Sequence, residues 1–336
     1  MRILYGIQAT GNGHLSRALE IGPVLEQFGE VDYLLSGRQG DIPLHRPIKF
    51  RKYGGSFIFG KDGGVDVLKT FKSAKPLRLI KDIIELDVNP YDLVLSDFEP
   101  ITTWACRFQS EKLFSISHQA AFMSPQCPRP KKVNPVAEFL LKYFAPSKNY
   151  IGLHFESYGS NITTPIIRKD IRETPTAEED FVCVYLPSFS AKTLVQHFNQ
   201  LKLTKWHVYS KDVTEVKIVN NVHLYPVGHS GWTTSFTHAH AILVGAGFES
   251  PSEALCLGKK LMVVPMKNQY EQQCNRAALT QLGVPSIDNI NDDSMAMVES
   301  WLKYGESIKM DYPDHTYEIV KEVVDLRKKG DYALAY

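Results

Sequence analysis

The sequence predicts an α/β protein built from two doubly wound, Rossmann-like domains that face each other across a cleft. Short apolar runs alternate with stretches of helical period, the pattern of parallel sheets covered on both faces. The alternation starts twice, at Arg2 and again at Phe181. Between the two series, residues 158–179 carry Pro165, Pro175, several threonines and mixed charges, as a connecting segment would. A chain of 336 residues has room for two domains of ordinary size. The expected division is an N-terminal domain over 1–160, a linker over 161–178, a C-terminal domain over 179–310, and a final segment, 311–336, whose helix packs back on the first domain.

In the first series, residues 2–7 read as a strand, 11–13 as a turn and 15–28 as a helix with apolar Leu15, Ala18, Leu19, Val24, Leu25 and Phe28 on one side. Strands follow at 31–36, 91–96 and 113–117, with a helix at 102–108. Residues 51–71, rich in glycine and aromatics, read as irregular strand and loop. The second series has strands at 181–186, 206–210, 222–225, 241–244 and 261–264, a helix at 190–201, and a closing amphipathic helix at 317–329. Two such sheets bind ligands at the C-terminal ends of their strands.

Composition narrows the function. Hydrophobic residues make up 43% and charged residues 22%, as in soluble globular proteins. A formal charge of +1 gives no electrostatic reason to expect nucleic acid. Cys106, Cys127, Cys183, Cys256 and Cys274 are an odd number without close pairing; four sit in apolar or helical contexts and read as buried thiols, which points to a reducing, cytoplasmic compartment and not to a metal site. No apolar run approaches the roughly 20 residues that cross a bilayer, and the chain begins directly as a strand with no leader pattern.

The chemistry centres on residues 244–255. An apolar strand ends at Val244; Gly245 and Gly247 allow a sharp turn; a helix is expected from Pro251, capped by Ser250. A helix start presents unpaired N–H groups and the positive end of its dipole, and Gly247 lets a phosphate approach the backbone. Glu253, one turn in, is placed for a ribose diol. A Gly-rich turn without a ligand is the competing reading. The first strand ends in a second such turn, Gly11-Asn12-Gly13-His14, where His14 is a candidate general base or a packed histidine. Asp97 closes the strand at 91–96 on the same sheet edge and could fix the His14 tautomer; Glu99 is the alternative base.

In these residues the chain resembles the GT-B glycosyltransferases, in particular the MurG-like and UDP-glycosyltransferase-like group. Gly11-Asn12-Gly13-His14 followed by Ala18-Leu19 looks like the Gly-Gly-His-x-x-Pro-Ala-Leu turn, with Arg17 in place of the proline. Asp97 with Trp104-Ala105 is similar to the Asp and Trp-Ala of UDP-glycosyltransferases. Ser117-His118-Gln119 resembles the His-Glu-Gln-Asn loop that borders the acceptor. Residues 247–255 look like Gly-Phe-Asn-Ser-x-x-Glu-Ala-Leu of the UDP-sugar signature, and Glu271, Gln272 and Asn275 resemble its Asp-Gln-x-x-Asn end.

The resemblance implies His14 as base supported by Asp97. It implies Glu253 on the ribose, Ser250 with the Gly247 and Phe248 amides on the phosphates, and Glu271, Gln272 and Asn275 on the sugar side. Gly13, Gly245 and Ser188, the last in a loop similar to Ser-Phe-Gly-Ser, complete the donor side, and His118 with Gln119 lies on the acceptor side. The signature histidine is replaced by Gly245, and residues 225–231 lack the usual Trp and Gln of the base-reading segment.

The expected activity is inverting, metal-independent transfer of a sugar from a nucleotide donor, UDP-linked by this resemblance, to a hydroxyl acceptor of the lipid-linked or cell-envelope kind. No cofactor is expected; the helix start meets the charge of the departing diphosphate, and the sequence has no Asp-x-Asp motif. A nucleotide-sugar 2-epimerase and a catalytically silent nucleotide-sugar binder are the alternatives. Lys131 and Lys132 ahead of the apolar run at 139–144 raise a peripheral contact with the inner face of a membrane, against the plainer reading of an ordinary helix with solvated lysines.

Overall fold

A computed structural model of the protein describes residues 1–37, 42–54, 76–109 and 112–330. Among these residues, two sheets are present. The first comprises β1 (Arg2–Gln8), β2 (Glu30–Ser36), β3 (Ile48–Lys52), β4 (Leu93–Asp97), β5 (Leu113–Ser117), β6 (Tyr150–Leu153) and β7 (Ile162–Thr163), in the order β3-β2-β1-β4-β5-β6-β7. Every neighbouring pair is parallel. The second comprises β8 (Glu179–Tyr185), β9 (Trp206–Ser210), β10 (Lys217–Val219), β11 (Val222–Pro226), β12 (Ala239–Gly245) and β13 (Lys260–Val264), in the order β10-β11-β9-β8-β12-β13. Only β10 runs antiparallel there. In each sheet the strand order reverses beside the first strand, between β1 and β4 and between β8 and β12, and that reversal opens a crevice at the strand ends.

Side chains alternate across these sheets as the pleat requires. Ile3, Tyr5 and Ile7 of β1 enter one apolar core, while Leu4 enters another on the opposite face. In β12, Ile242 and Val244 face one core, and Ala241 and Leu243 the other. The core that holds Ile3, Tyr5 and Ile7 also holds Ile242 and Val244, so a single apolar body runs from lobe to lobe.

Helices α1 (Asn12–Leu25), α2 (Pro76–Glu85), α3 (Pro100–Gln109), α4 (Pro135–Tyr143) and α5 (Lys169–Glu173) follow in the first half of the chain. The second half adds α6 (Ala191–Phe198), α7 (Trp232–His238), α8 (Glu249–Leu257), α9 (Tyr270–Gln281), α10 (Asp292–Tyr304) and α11 (Thr316–Lys329). α11 buries Ile319, Val320, Val323 and Val324 and packs on α1, with Phe28 and Tyr317 rings 5.8 Å apart.

Three expectations shift. The first helix begins at Asn12 and ends at Leu25 rather than Phe28, with Pro23 in its last turn. Helix α8 starts at Glu249, two residues before Pro251; its N-cap is Phe248, so Ser250 lies inside the first turn and caps nothing there. It ends at Gly258, which takes a left-handed φ of 70°. Within the irregular stretch 51–71, Arg51 and Lys52 belong to β3, and residues 55–71 lie outside the described residues.

Candidate active site

β1 and β4 are adjacent, with Ile7 opposite Asp97 in register, so the turn after β1 and the end of β4 meet at one edge. His14, in the first turn of α1, places Nδ1 2.8 Å from Asp97 Oδ1. A carboxylate only accepts, so this hydrogen bond requires the proton on Nδ1, which leaves the lone pair on Nε2; Arg17 Nη2 lies 3.1 Å from the same Nδ1. Asp97 is fully buried, and His14 keeps 12% of its side chain exposed.

Asp97 would be raised by its burial, but the Arg17 guanidinium and His14 outweigh that and hold it below the usual carboxylate range. Arg17 Nε donates to Oδ2 at 2.9 Å and Nη2 to Oδ1 at 2.7 Å. Phe98, next in the chain, has a left-handed φ of 52°, uncommon for a bulky residue and costing about 1–2 kcal/mol. That turn stacks its ring on His14, centroids 6.5 Å apart and planes within 9°, and sets it 5.1 Å from Phe144.

Glu99 is not placed to act as a base. Its carboxylate is fully buried and accepts from the Ile101 N–H at 2.9 Å, the Thr102 N–H at 2.6 Å and the Thr102 hydroxyl at 2.7 Å, which holds the start of α3. Burial raises its pKa above the ordinary value.

The second lobe brings its own strand ends to the same place. β12 lies beside β8, with Val244 opposite Tyr185, so the turn at Gly245–Gly247 is next to the turn holding Ser188. Ser190 caps α6, accepting from the Thr193 N–H at 3.1 Å. No side chain caps the start of α8. The two lobes touch here: a methyl group on Gly13 would lie 3.1 Å from Glu249 Cγ, and Arg17 Nη1 donates to Glu249 Oε1. The turn that carries His14 and the start of α8 therefore meet at this contact.

Glu253 is 3% exposed and already partnered. Arg168, at the N-terminus of α5 in the connection between the sheets, grips it with Nε at 2.7 Å and Nη2 at 3.1 Å. The sugar-side and acceptor-side residues interlock directly. Gln119 Nε2 donates to Glu271 Oε2 at 3.1 Å, and His118 Nε2 lies 2.8 Å from Asn275 Oδ1. His118 Nδ1 meets the Leu153 carbonyl at 2.8 Å. Burial outweighs Glu271, 3.9 Å away, and holds the imidazole below its ordinary pKa. Asn275 also donates to the Ala246 carbonyl, while Gln272 accepts from the Met266 N–H at 2.8 Å and lies beside Gly245. Phe248 turns its ring onto His118 and Phe155.

Arg17 and Arg168 are the site residues that the sequence reading passes over. Arg17 had a signal: it stands three residues after His14, on the same helix face. Arg168 had none, being 85 residues from Glu253.

Beyond Phe98 and Phe144 an apolar groove of about 650 Å³ opens between α2, α3 and α4, lined by residues that include Ile80, Ile84, Trp104, Phe139 and Phe144. Ile84 and Phe139 are 72% and 61% exposed. Arg78, Lys132 and Lys142 are exposed on the elements around it.

Two doubly wound lobes whose strand ends meet over an imidazole–carboxylate pair have the GT-B architecture. A profile of glycosyl transferase family 1 matches residues 1–304, and the chain belongs to that family and is a glycosyltransferase. Acinetobacter baumannii MurG superposes with a TM-score of 0.55 at 12% identity, over 96% of this chain and 99% of its own. Arabidopsis thaliana UGT89C1 complexed with UDP gives 0.57 at 14% identity, over 98% and 94%. A Polygonum tinctorium UDP-glucosyltransferase capable of glucosylating indoxyl gives 0.59 at 14%, over 98% and 93%. At these identities the likeness establishes the fold. A search of curated protein sequences returns no significant match.

Proposed function

We propose that the protein transfers a sugar from a nucleoside diphosphate donor, UDP-linked, to a hydroxyl acceptor with inversion. The carrying observation is the His14–Asp97 pair, 2.8 Å apart, with the start of α8 brought beside it by the approach of Gly13 to Glu249. His14 Nε2 takes the proton from the acceptor hydroxyl as its oxygen attacks the anomeric carbon. Asp97 keeps the ring in the right tautomer and supports the charge it gains. The diphosphate leaves on the other side of the anomeric carbon, toward the turn at Gly245–Gly247, where backbone N–H groups and the helix dipole meet the charge as it grows. In this reading no metal is required.

Donor recognition in this reading falls to Gly13, Ser188, Gly247, Phe248 and Ser250 for the phosphates and to Glu253 for the ribose. Glu271, Gln272 and Asn275 serve the sugar. Arg168 meets Glu253, His118 meets Asn275 and Gln119 meets Glu271, so in this reading donor binding exchanges these contacts for contacts with the substrate. The groove beyond Phe144 suits the apolar tail of an acceptor carried in a lipid layer, and its exposed cations suit an anionic headgroup surface at the inner face of a membrane. No described helix is long and apolar enough to span a membrane, so this contact is peripheral.

A silent nucleotide-sugar binder is the second reading; Gly245 in place of the signature histidine and the occupied Glu253 carboxylate favour it. Product analysis separates the readings. With UDP-sugars and a panel of lipid and soluble hydroxyl acceptors, a transferase releases UDP only when an acceptor is glycosylated. Binding of UDP with neither transfer nor epimerised sugar on any acceptor selects the silent binder, and an epimerised sugar selects the epimerase.

A further inference from the structure

Arg17 is 2% exposed and lies one turn along α1 from His14. Nε and Nη2 are committed to Asp97, at 2.9 and 2.7 Å. Nη1 is directed at the other lobe, and there it meets the Glu249 carboxylate. Glu249 is the first residue of α8, and its side chain lies against Gly13, the glycine before His14. A carboxylate thus stands between the turn after β1 and the uncapped start of α8. That is where an entering diphosphate would have to lie.

We propose that Glu249 is a built-in stand-in for the donor's phosphate: it holds Arg17 while the site is empty, and donor binding transfers the Arg17 guanidinium from this carboxylate to the diphosphate. The inference rests on the donor site of the proposed function and adds Arg17 to it as a phosphate-binding residue, with Glu249 as its competitor. The charges demand such an exchange. From the first lobe Arg17 and Asp97 act on Glu249, from the second Glu253, and from the connection between them Arg168; His14 touches Arg17 at 3.1 Å. With Glu249 itself, Arg17, Arg168, Asp97 and Glu253 make two positive and three negative groups. A diphosphate adds more negative charge unless Glu249 withdraws or takes up a proton.

Burial, with Glu253 and Asp97 adding to it against the pull of Arg17, pushes the Glu249 carboxyl up to about 8. The protonated form competes weakly for Arg17, and the ionised form strongly. Donor affinity therefore falls as pH rises through that value. The diphosphate itself is already ionised above about pH 7, since its last proton leaves near 6.

Calorimetric titration of the full chain with UDP tests this, on the native protein, Glu249→Gln and Glu249→Asn. Native affinity is expected to fall about tenfold between roughly pH 7 and pH 9.5, and both variants to bind about tenfold tighter than native protein at the upper end, with a flat profile. A flat native profile overturns the inference even if neither variant folds. So does weaker binding by folded variants, which would make Glu249 a donor ligand. UDP binding that is equal in all three and independent of pH sinks this inference and leaves the donor site standing. Absence of nucleotide binding in folded native protein and folded variants removes the donor site and this inference with it.

Discussion

His118 lies flat on Phe248, ring centroids 4.0 Å apart and planes within 6° of parallel, tying the loop after β5 to the start of α8. Its Nε2 contact with Asn275 makes the same histidine bridge the lobes twice. His118→Ala removes a buried stacked ring and leaves Asn275 Oδ1 without this partner. A loss of about 2–4 kcal/mol is expected, read from the urea midpoint at constant slope. An unchanged midpoint would mean that the stack does not hold the lobes.

His14→Ala should leave UDP affinity within about twofold and lower kcat by about 10²–10⁴, the usual worth of a positioned base. Rate measurements beside calorimetry check it. Intact turnover would remove His14 from the chemistry.

Asp97→Asn keeps the shape but removes the charge that faces Arg17 and selects the His14 tautomer. The expectation is a kcat loss near that of His14→Ala and destabilisation of up to about 3–5 kcal/mol, because Arg17 stays buried with its partner neutralised. The carboxyl of Asp97 is depressed in the fold, so its stabilising contribution is complete above the ordinary carboxylate value near 4 and is lost as pH falls through the lower folded value. Melting scans between about pH 2 and 5 should show native stability dropping more steeply than that of the variant.

Glu253→Ala deprives Arg168 of both its short contacts and the proposed ribose of its carboxylate. Nucleotide affinity should drop at least about tenfold, alongside a lower melting temperature. Arg168→Ala is the control: it frees Glu253, so it should lower stability without an equal loss of affinity.

The face around the apolar groove should bind vesicles containing an anionic phospholipid more tightly than neutral vesicles. Ile84→Glu combined with Phe139→Glu should lower that binding by at least about tenfold without changing the melting temperature, since both side chains are largely exposed. Sedimentation with vesicles measures it. Equal binding by the double variant would exclude this face.

Much of the architecture is legible in the residue pattern because parallel buried strands are short, apolar and punctuated by glycine turns. The strand at 113–117 falls where the sequence places it, and β1 is one residue longer than expected. Helix starts read less well. Ser250-Pro251 is a good capping pair, but the chain turns into the helix at Glu249, leaving Phe248 to stack on His118; a tertiary contact overrides a local preference. The site divides the same way. His14 and Asp97 are visible because the turn after β1 and the end of β4 lie on one sheet edge. The partners of Glu253 and Glu249 are not, because Arg168 and Arg17 reach them from 85 and 232 residues away. Glu99 misleads because a carboxylate two residues past Asp97 can equally well hold a helix start, and here it does.

The return of α11 to α1 means that the polypeptide crosses between the lobes twice, before Glu179 and after Tyr304. The crossings touch: His315 Nε2 lies 3.2 Å from the Thr164 carbonyl. The second is pinned on both sides, by Tyr312 to the Phe155 carbonyl and by the Met310 N–H to the Leu255 carbonyl. Two adjacent straps thus join the lobes side by side. The first lobe is not a continuous length of polypeptide, so a cut near residue 178 severs one crossing and strands α11 away from α1, the partner it covers.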